Sequence, residues 1–103
     1  MKIEIYQTKH DLPDEEEFSF MDYDFASRKI KDFARNWRKY YNFVYNYELD
    51  GKQSDAVILE ECFERFNINR PDDYKGRSLS VSDIVIIDDT PYYCDPFGWL
   101  EVN

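Results

Sequence analysis

Residues 76–87 constrain the fold of this chain more than any other stretch. From Gly76 the chain alternates small polar with apolar residues (Ser78, Leu79, Ser80, Val81, Ser82) and then runs through four apolar residues, Ile84-Val85-Ile86-Ile87. Period-two alternation leading into a β-branched run is the pattern of a strand passing from a half-exposed to a buried position. This predicts a strand over 80–87, a turn over Asp88–Pro91, and a second strand over Tyr92–Asp95 that closes a hairpin. Pro96-Phe97-Gly98 makes a further turn before the last strand.

Upstream, Lys2 to Thr8 reads as a strand with Ile3 and Ile5 on one face and Lys2, Glu4 and Tyr6 on the other. Pro13 interrupts the acidic connection from Asp11 to Glu17, and Phe18 to Met21 reads as a short extended segment. Ser27 is placed to cap a helix from Arg28 to about Tyr40, with Ile30, Phe33, Ala34, Trp37 and Tyr41 at helical spacing. Tyr41, Phe43, Tyr45, Tyr47 and Leu49 then alternate as one face of a strand, and Asp50-Gly51 signals a turn. Ser54 or Asp55 caps a second helix whose apolar stripe is Ile58, Leu59, Cys62, Phe63 and Phe66. The sequence therefore predicts a single α+β domain over 1–103: a small, mainly antiparallel sheet with two helices packed on it.

The chain is acidic but not disordered in character. Its net charge is −9, yet nine Tyr and eight Phe supply apolar surface that acidic disordered chains lack. Residues 1–52 carry a balance of −2 and residues 53–103 a balance of −7. Such a surface repels nucleic-acid phosphates and favours basic protein clefts. No apolar stretch approaches the ~20 residues of a membrane span, and Met1 to Tyr6 reads as a strand rather than a signal peptide. Cys62 and Cys94 lie in different elements without metal-ligand spacing, as expected of reduced, buried thiols in a cytoplasmic protein.

Catalytic patterns are weak. Ser78, Ser80 and Ser82 have no nucleophile elbow, and the single histidine, His10, has no partner motif. They read as solvent-facing strand serines with Asp83 closing a turn. Asp72-Asp73 and Asp88-Asp89 stand beside Pro71 and Pro91, where Asp serves turn hydrogen bonding better than metal binding. Cys94 has no cationic neighbour to activate it. Arg28, Lys29, Lys31, Arg35, Arg38 and Lys39 give the first helix a local +5 against Asp32, interleaved with Phe33 and Trp37. That composition suits nucleic acid, but helical spacing assigns the two aromatics to the core.

Three blocks carry a family resemblance. Leu59-Glu60, Phe63 and Phe66-Asn67 form the first, Pro71 through Val85 the second, and Tyr92-Tyr93-Cys94-Asp95-Pro96-Phe97-Gly98-Trp99 the third, with Tyr41 and Val44-Tyr45 upstream. Together they resemble the YodL-like domain of Firmicutes, a family that occurs in proteins of plasmids and integrative conjugative elements. The resemblance is strongest over residues 41–103 and implies no enzymatic role. A small acidic member also looks like the anti-CRISPR proteins that Gram-positive mobile elements encode against type II-A systems.

These features lead to the expectation of a non-enzymatic inhibitor without cofactor or metal. Its partner would be a nucleic-acid-handling bacterial protein, foremost the RNA-guided nuclease of a type II CRISPR system, whose basic channels hold guide and target. The contact surface is expected at Glu60, Glu61, Glu64, Asp72, Asp73, Asp88 and Asp89. The rival expectation is a nucleic-acid-binding accessory protein that uses the basic 28–39 segment. A metal-dependent hydrolase built on the Asp pairs has the weakest signals.

Overall fold

The computed structural model describes residues 1–103. The apolar run settles into the middle of the architecture. Strand β3 (Ile84–Ile87) is the central strand of a five-stranded sheet, flanked by β1 (Lys2–Thr8) on one side and β4 (Thr90–Asp95) on the other. Strand β2 (Tyr41–Glu48) forms one edge, beyond β1, and β5 (Gly98–Glu101) the other, beyond β4. Every neighbouring pair is antiparallel, which gives the predicted α+β class.

All four residues of β3 are buried because both faces of the sheet are covered. Val85 and Ile87 pack with Ile3 and Ile5 of β1 under helix α3 (Asp55–Ile68), which contributes Ile58, Leu59, Cys62 and Phe66. Ile84 and Ile86 pack on the opposite face against Phe18, Ala26, Ile30, Phe33 and Trp37. A strand enclosed on both sides reads as continuous hydrophobicity rather than alternation. The second core is dense in edge-on aromatic contacts, such as Trp37 to Tyr41 at 5.4 Å and Phe18 to Phe33 at 5.7 Å between ring centroids. No helix is long and apolar enough to cross a membrane.

Several local expectations are overturned. The segment expected as one helix over 28–40 is divided into α1 (Tyr23–Lys29), a single turn α2 (Phe33–Asn36) and a 3₁₀ turn over Trp37–Tyr40. The cap is Asp22, whose carboxylate accepts the Phe25 N–H at 2.8 Å, not Ser27. Asp32 breaks the path with φ 52° and ψ 54°, a left-handed conformation that Asp tolerates better than most residues. Phe18 to Met21 is a turn, not an extended segment.

Two further corrections concern strands. The pairing of Ile5 with Tyr45 is followed by that of Tyr6 with Phe43, so Val44 is an extra residue, a β-bulge. The bulge moves Tyr41 to the aromatic core while Tyr45, Tyr47 and Leu49 pack under α3, and the five residues do not share a face. Residues 78–82 form a loop rather than the start of a strand, and Ser82, at φ 86°, is wholly buried. The β3–β4 turn is also tighter than expected. Asp88 (φ 45°) and Asp89 (φ 75°) form a two-residue loop, and Thr90 and Pro91 already belong to β4.

Candidate functional site

Helix α3 divides its side chains between core and solvent. Ser54 starts it by accepting the Val57 N–H on its hydroxyl at 3.3 Å, and Ile58, Leu59, Cys62 and Phe66 turn inward. Phe63, expected inside, is 39% exposed, and Val57 is 46% exposed. Helical geometry places both on the outer side, where Glu60, Glu61 and Glu64 surround them.

A recess lined by Ala56, Val57, Phe63 and these three glutamates adjoins a second one, which shares Glu60 and Phe63 and reaches Phe97 in the β4–β5 turn. Phe97 is 99% exposed. The glutamates form no ion pair. Arg65, on the same helix, is held over the Tyr47 ring at 4.8 Å instead. The result is an apolar strip with an uncompensated acidic rim.

The remaining predicted contact residues are placed elsewhere. Asp72 and Asp73 are exposed in the loop after α3, where Asp73 accepts a hydrogen bond from the Tyr45 hydroxyl at 2.9 Å. Asp88 and Asp89 occupy the β3–β4 turn. The Asp88 carboxylate accepts the Lys2 N–H at 2.8 Å, and its own N–H donates to the Lys2 carbonyl at 3.0 Å. Asp88 therefore anchors the start of β1. The structure unites the three glutamates on one helix face and distributes the two aspartate pairs over separate loops.

The basic 28–39 segment pairs with nearby acidic residues of its own and the preceding turn. Arg28 contacts Asp24 at 2.9 Å and Arg35 contacts Asp32 at 3.6 Å, while Arg38 lies over Trp37 at 4.6 Å. It makes no ion pair with the acidic run from Asp11 to Glu17. Phe33 and Trp37 are buried, as their spacing predicted, and offer no stacking surface.

A second constellation was not anticipated. Gln7 follows Ile3 and Ile5 at the next inward position of β1, so its amide enters the interior. It donates to Asp83 Oδ2 at 3.0 Å and to the Arg77 carbonyl at 3.1 Å, and its Oε1 accepts the Arg77 N–H at 3.0 Å. Asp83 Oδ2 also accepts the Ser80 N–H at 2.8 Å, and the Tyr74 hydroxyl donates to the Arg77 carbonyl at 2.6 Å. Burial pushes the Asp83 carboxyl up to about 7, against the Ser80 and Gln7 hydrogen bonds and the Arg77 charge that lower it.

Ser82 completes this loop by accepting the Phe20 N–H on its hydroxyl at 3.0 Å and the Tyr41 hydroxyl on its carbonyl at 2.6 Å. The expected solvent-facing serine is thus a structural one. Cys62 and Cys94 are free and buried, and burial raises their thiols to about 11 and about 12.

Fold and site define a small domain of layered α/β/α form, with an antiparallel sheet, a buried polar loop and an acidic outer helix. The chain belongs to the YodL-like domain family, which matches residues 2–103. It is similar to "Uncharacterized protein YodL" of Bacillus subtilis (strain 168), with 34% identity over 73 residues that cover 64% of this chain and 69% of the relative. No solved structure matches the chain.

Proposed function

We propose that this protein is a non-enzymatic binding module that docks the outer face of α3 onto a basic surface of a nucleic-acid-handling protein. The observation that carries this reading is the exposed Phe63 set among Glu60, Glu61 and Glu64. Apolar groups at the centre of a patch supply binding energy, and a like-charged rim selects a partner of opposite sign and speeds encounter. The partner class proposed is the RNA-guided nuclease of a type II CRISPR system, whose guide and target lie in positively charged channels. A domain seated there excludes guide RNA or target DNA, as an inhibitor carried by a mobile element would. The burial that raises both thiols supports the absence of a reactive cysteine.

Competition with guide RNA tests this. Wild-type protein should reduce loading of guide RNA onto the purified nuclease, and a variant with Glu60, Glu61 and Glu64 changed to Lys should not. Failure of the wild type against type II effectors would remove the nuclease as partner. Equal potency of the two proteins would remove the α3 face as the contact.

A further inference from the structure

The recesses along α3 are lined with carboxylates, whereas the cavity at the far end of β1 has none. It has a volume of about 210 Å³ and is bounded by Thr8, His10, Asn42, Lys75 and Arg77, with Phe43 along one side. In a chain of net charge −9, a lysine, an arginine and a histidine line this hollow without an acidic residue in its wall. It shares no residue with the α3 face, so it stands independently of the function proposed above.

The Arg77 side of this lining is fixed in place. Gln7 and Tyr74 pin the Arg77 backbone through the hydrogen bonds already described. The guanidinium is directed by Thr8 Oγ1 at 3.3 Å from Nη2 and His10 Nδ1 at 3.5 Å from Nη1, and it lies over the Phe20 ring at 5.4 Å. Gly76 permits the loop to lie against the sheet. A Cβ there would meet the Tyr74 hydroxyl at 2.7 Å and Gln7 Oε1 at 2.8 Å, besides the Val44 side chain. With no side chain between them, Lys75 and Arg77 flank the same hollow.

Arg77 also retains donor capacity. Nη1 and Nη2 each make one contact and keep a second N–H, Nε is buried without an acceptor and cannot reach the cavity, and the nearest carboxylate oxygen, Asp83 Oδ1, is 4.0 Å from Nη2 and itself has no hydrogen-bond partner. A guanidinium offers five N–H donors in a planar fork suited to oxyanions. Phe43, 50% exposed, adds an aromatic face at the rim.

We propose that this cavity binds a phosphate monoester, with Arg77 and Lys75 opposite the phosphoryl oxygens, Asn42 as a hydrogen-bond partner, and Phe43 against a planar group on the ester. A dianion matches two cations better than a single carboxylate does. The aromatic rim favours a mononucleotide over inorganic phosphate, and the neutral nucleoside lacks the group that the cations recognise.

Titration of the full chain by calorimetry and amide NMR, with adenosine 5′-monophosphate, inorganic phosphate and adenosine in turn, tests the proposal. The monophosphate should bind and move the amides of residues 42–44 and 75–77, phosphate should compete more weakly, and adenosine should not bind. Lys75→Gln, at an exposed side chain, should weaken binding roughly threefold, and Arg77→Gln about tenfold. Lys75→Gln keeps the test valid if the arginine variant fails to fold. Absence of binding by both phosphate compounds at millimolar concentration, equal binding of adenosine, or full affinity in Lys75→Gln would each overturn the assignment.

Discussion

Asp83 lies wholly buried 4.0 Å from the Arg77 guanidinium, with both hydrogen bonds to its carboxylate gathered on Oδ2. The separation exceeds a hydrogen bond, so the pair attracts without the close contact that offsets desolvation of a buried charge. The consequence is a carboxyl that ionises near neutrality in the folded protein but at its ordinary value, 3.8, when unfolded. Below 3.8 both states hold the proton, and the stabilising effect of the raised pKa is fully present. It is lost as pH rises through about 7.

Wild-type protein should therefore lose about 3 kcal/mol of this contribution between pH 5 and pH 8, the remainder having been lost below pH 5 as the unfolded chain ionises. Asp83→Asn should show a flatter profile across that window. Urea unfolding of both proteins at pH 5 and pH 8 measures it, and parallel pH profiles would show that Asp83 is ionised throughout.

The two phenylalanines of α3 should separate stability from binding. Phe66 is wholly buried against Tyr45, Tyr47 and Tyr74, so Phe66→Ala should cost about 3–5 kcal/mol. Phe63→Ala should cost under about 1 kcal/mol, the range of surface changes, and should weaken partner binding. Chemical denaturation of both variants checks the first pair of values, and equal losses would place Phe63 in the core after all.

The β3–β4 turn offers a stabilising change. Asp89 adopts φ 75° without the freedom of glycine, and Asp-Gly is a favoured sequence for a two-residue hairpin loop. Asp89→Gly should raise stability by about 0.5–1 kcal/mol. A drop in melting temperature would contradict the left-handed turn. Asp88, which holds the backbone of Lys2, should not tolerate replacement by Ala as readily.

What the sequence made legible depended on whether local pattern and tertiary role agreed. Ile84–Ile87 declares itself as an unbroken apolar run, the start of α3 through the Ser54-Asp55 pair, of which Ser54 is the cap, and four of the five stripe residues of α3 through helical spacing, Phe63 being the exposed exception. Ser78–Ser82 mislead because small polar and apolar residues alternate in a loop for reasons of separate hydrogen bonds, such as Ser82 to Phe20. The break at Asp32 carries no Gly or Pro, and the bulge at Val44 inverts a face without changing composition. Of the site, the glutamates on α3 were visible through helical spacing, but their separation from Asp72, Asp73, Asp88 and Asp89 is set by tertiary contacts. The burial of Gln7 was the available clue to the polar loop, since it continues the inward alternation of Ile3 and Ile5.

The most direct test of the α3 account is the affinity of the protein for a purified, guide-free type II effector, measured by calorimetry over a series of salt concentrations. The wild type should bind, and its affinity should fall as salt rises, because exposed charges are screened within about 10 Å at 0.1 M ionic strength. The Glu60, Glu61 and Glu64 to Lys variant should lose binding while keeping its melting temperature. Lys31, Arg35 and Arg38 changed to Glu should leave binding intact. The account is contradicted if the wild type does not bind at low salt, if the acidic-to-basic variant binds as tightly, or if only the basic-segment variant fails.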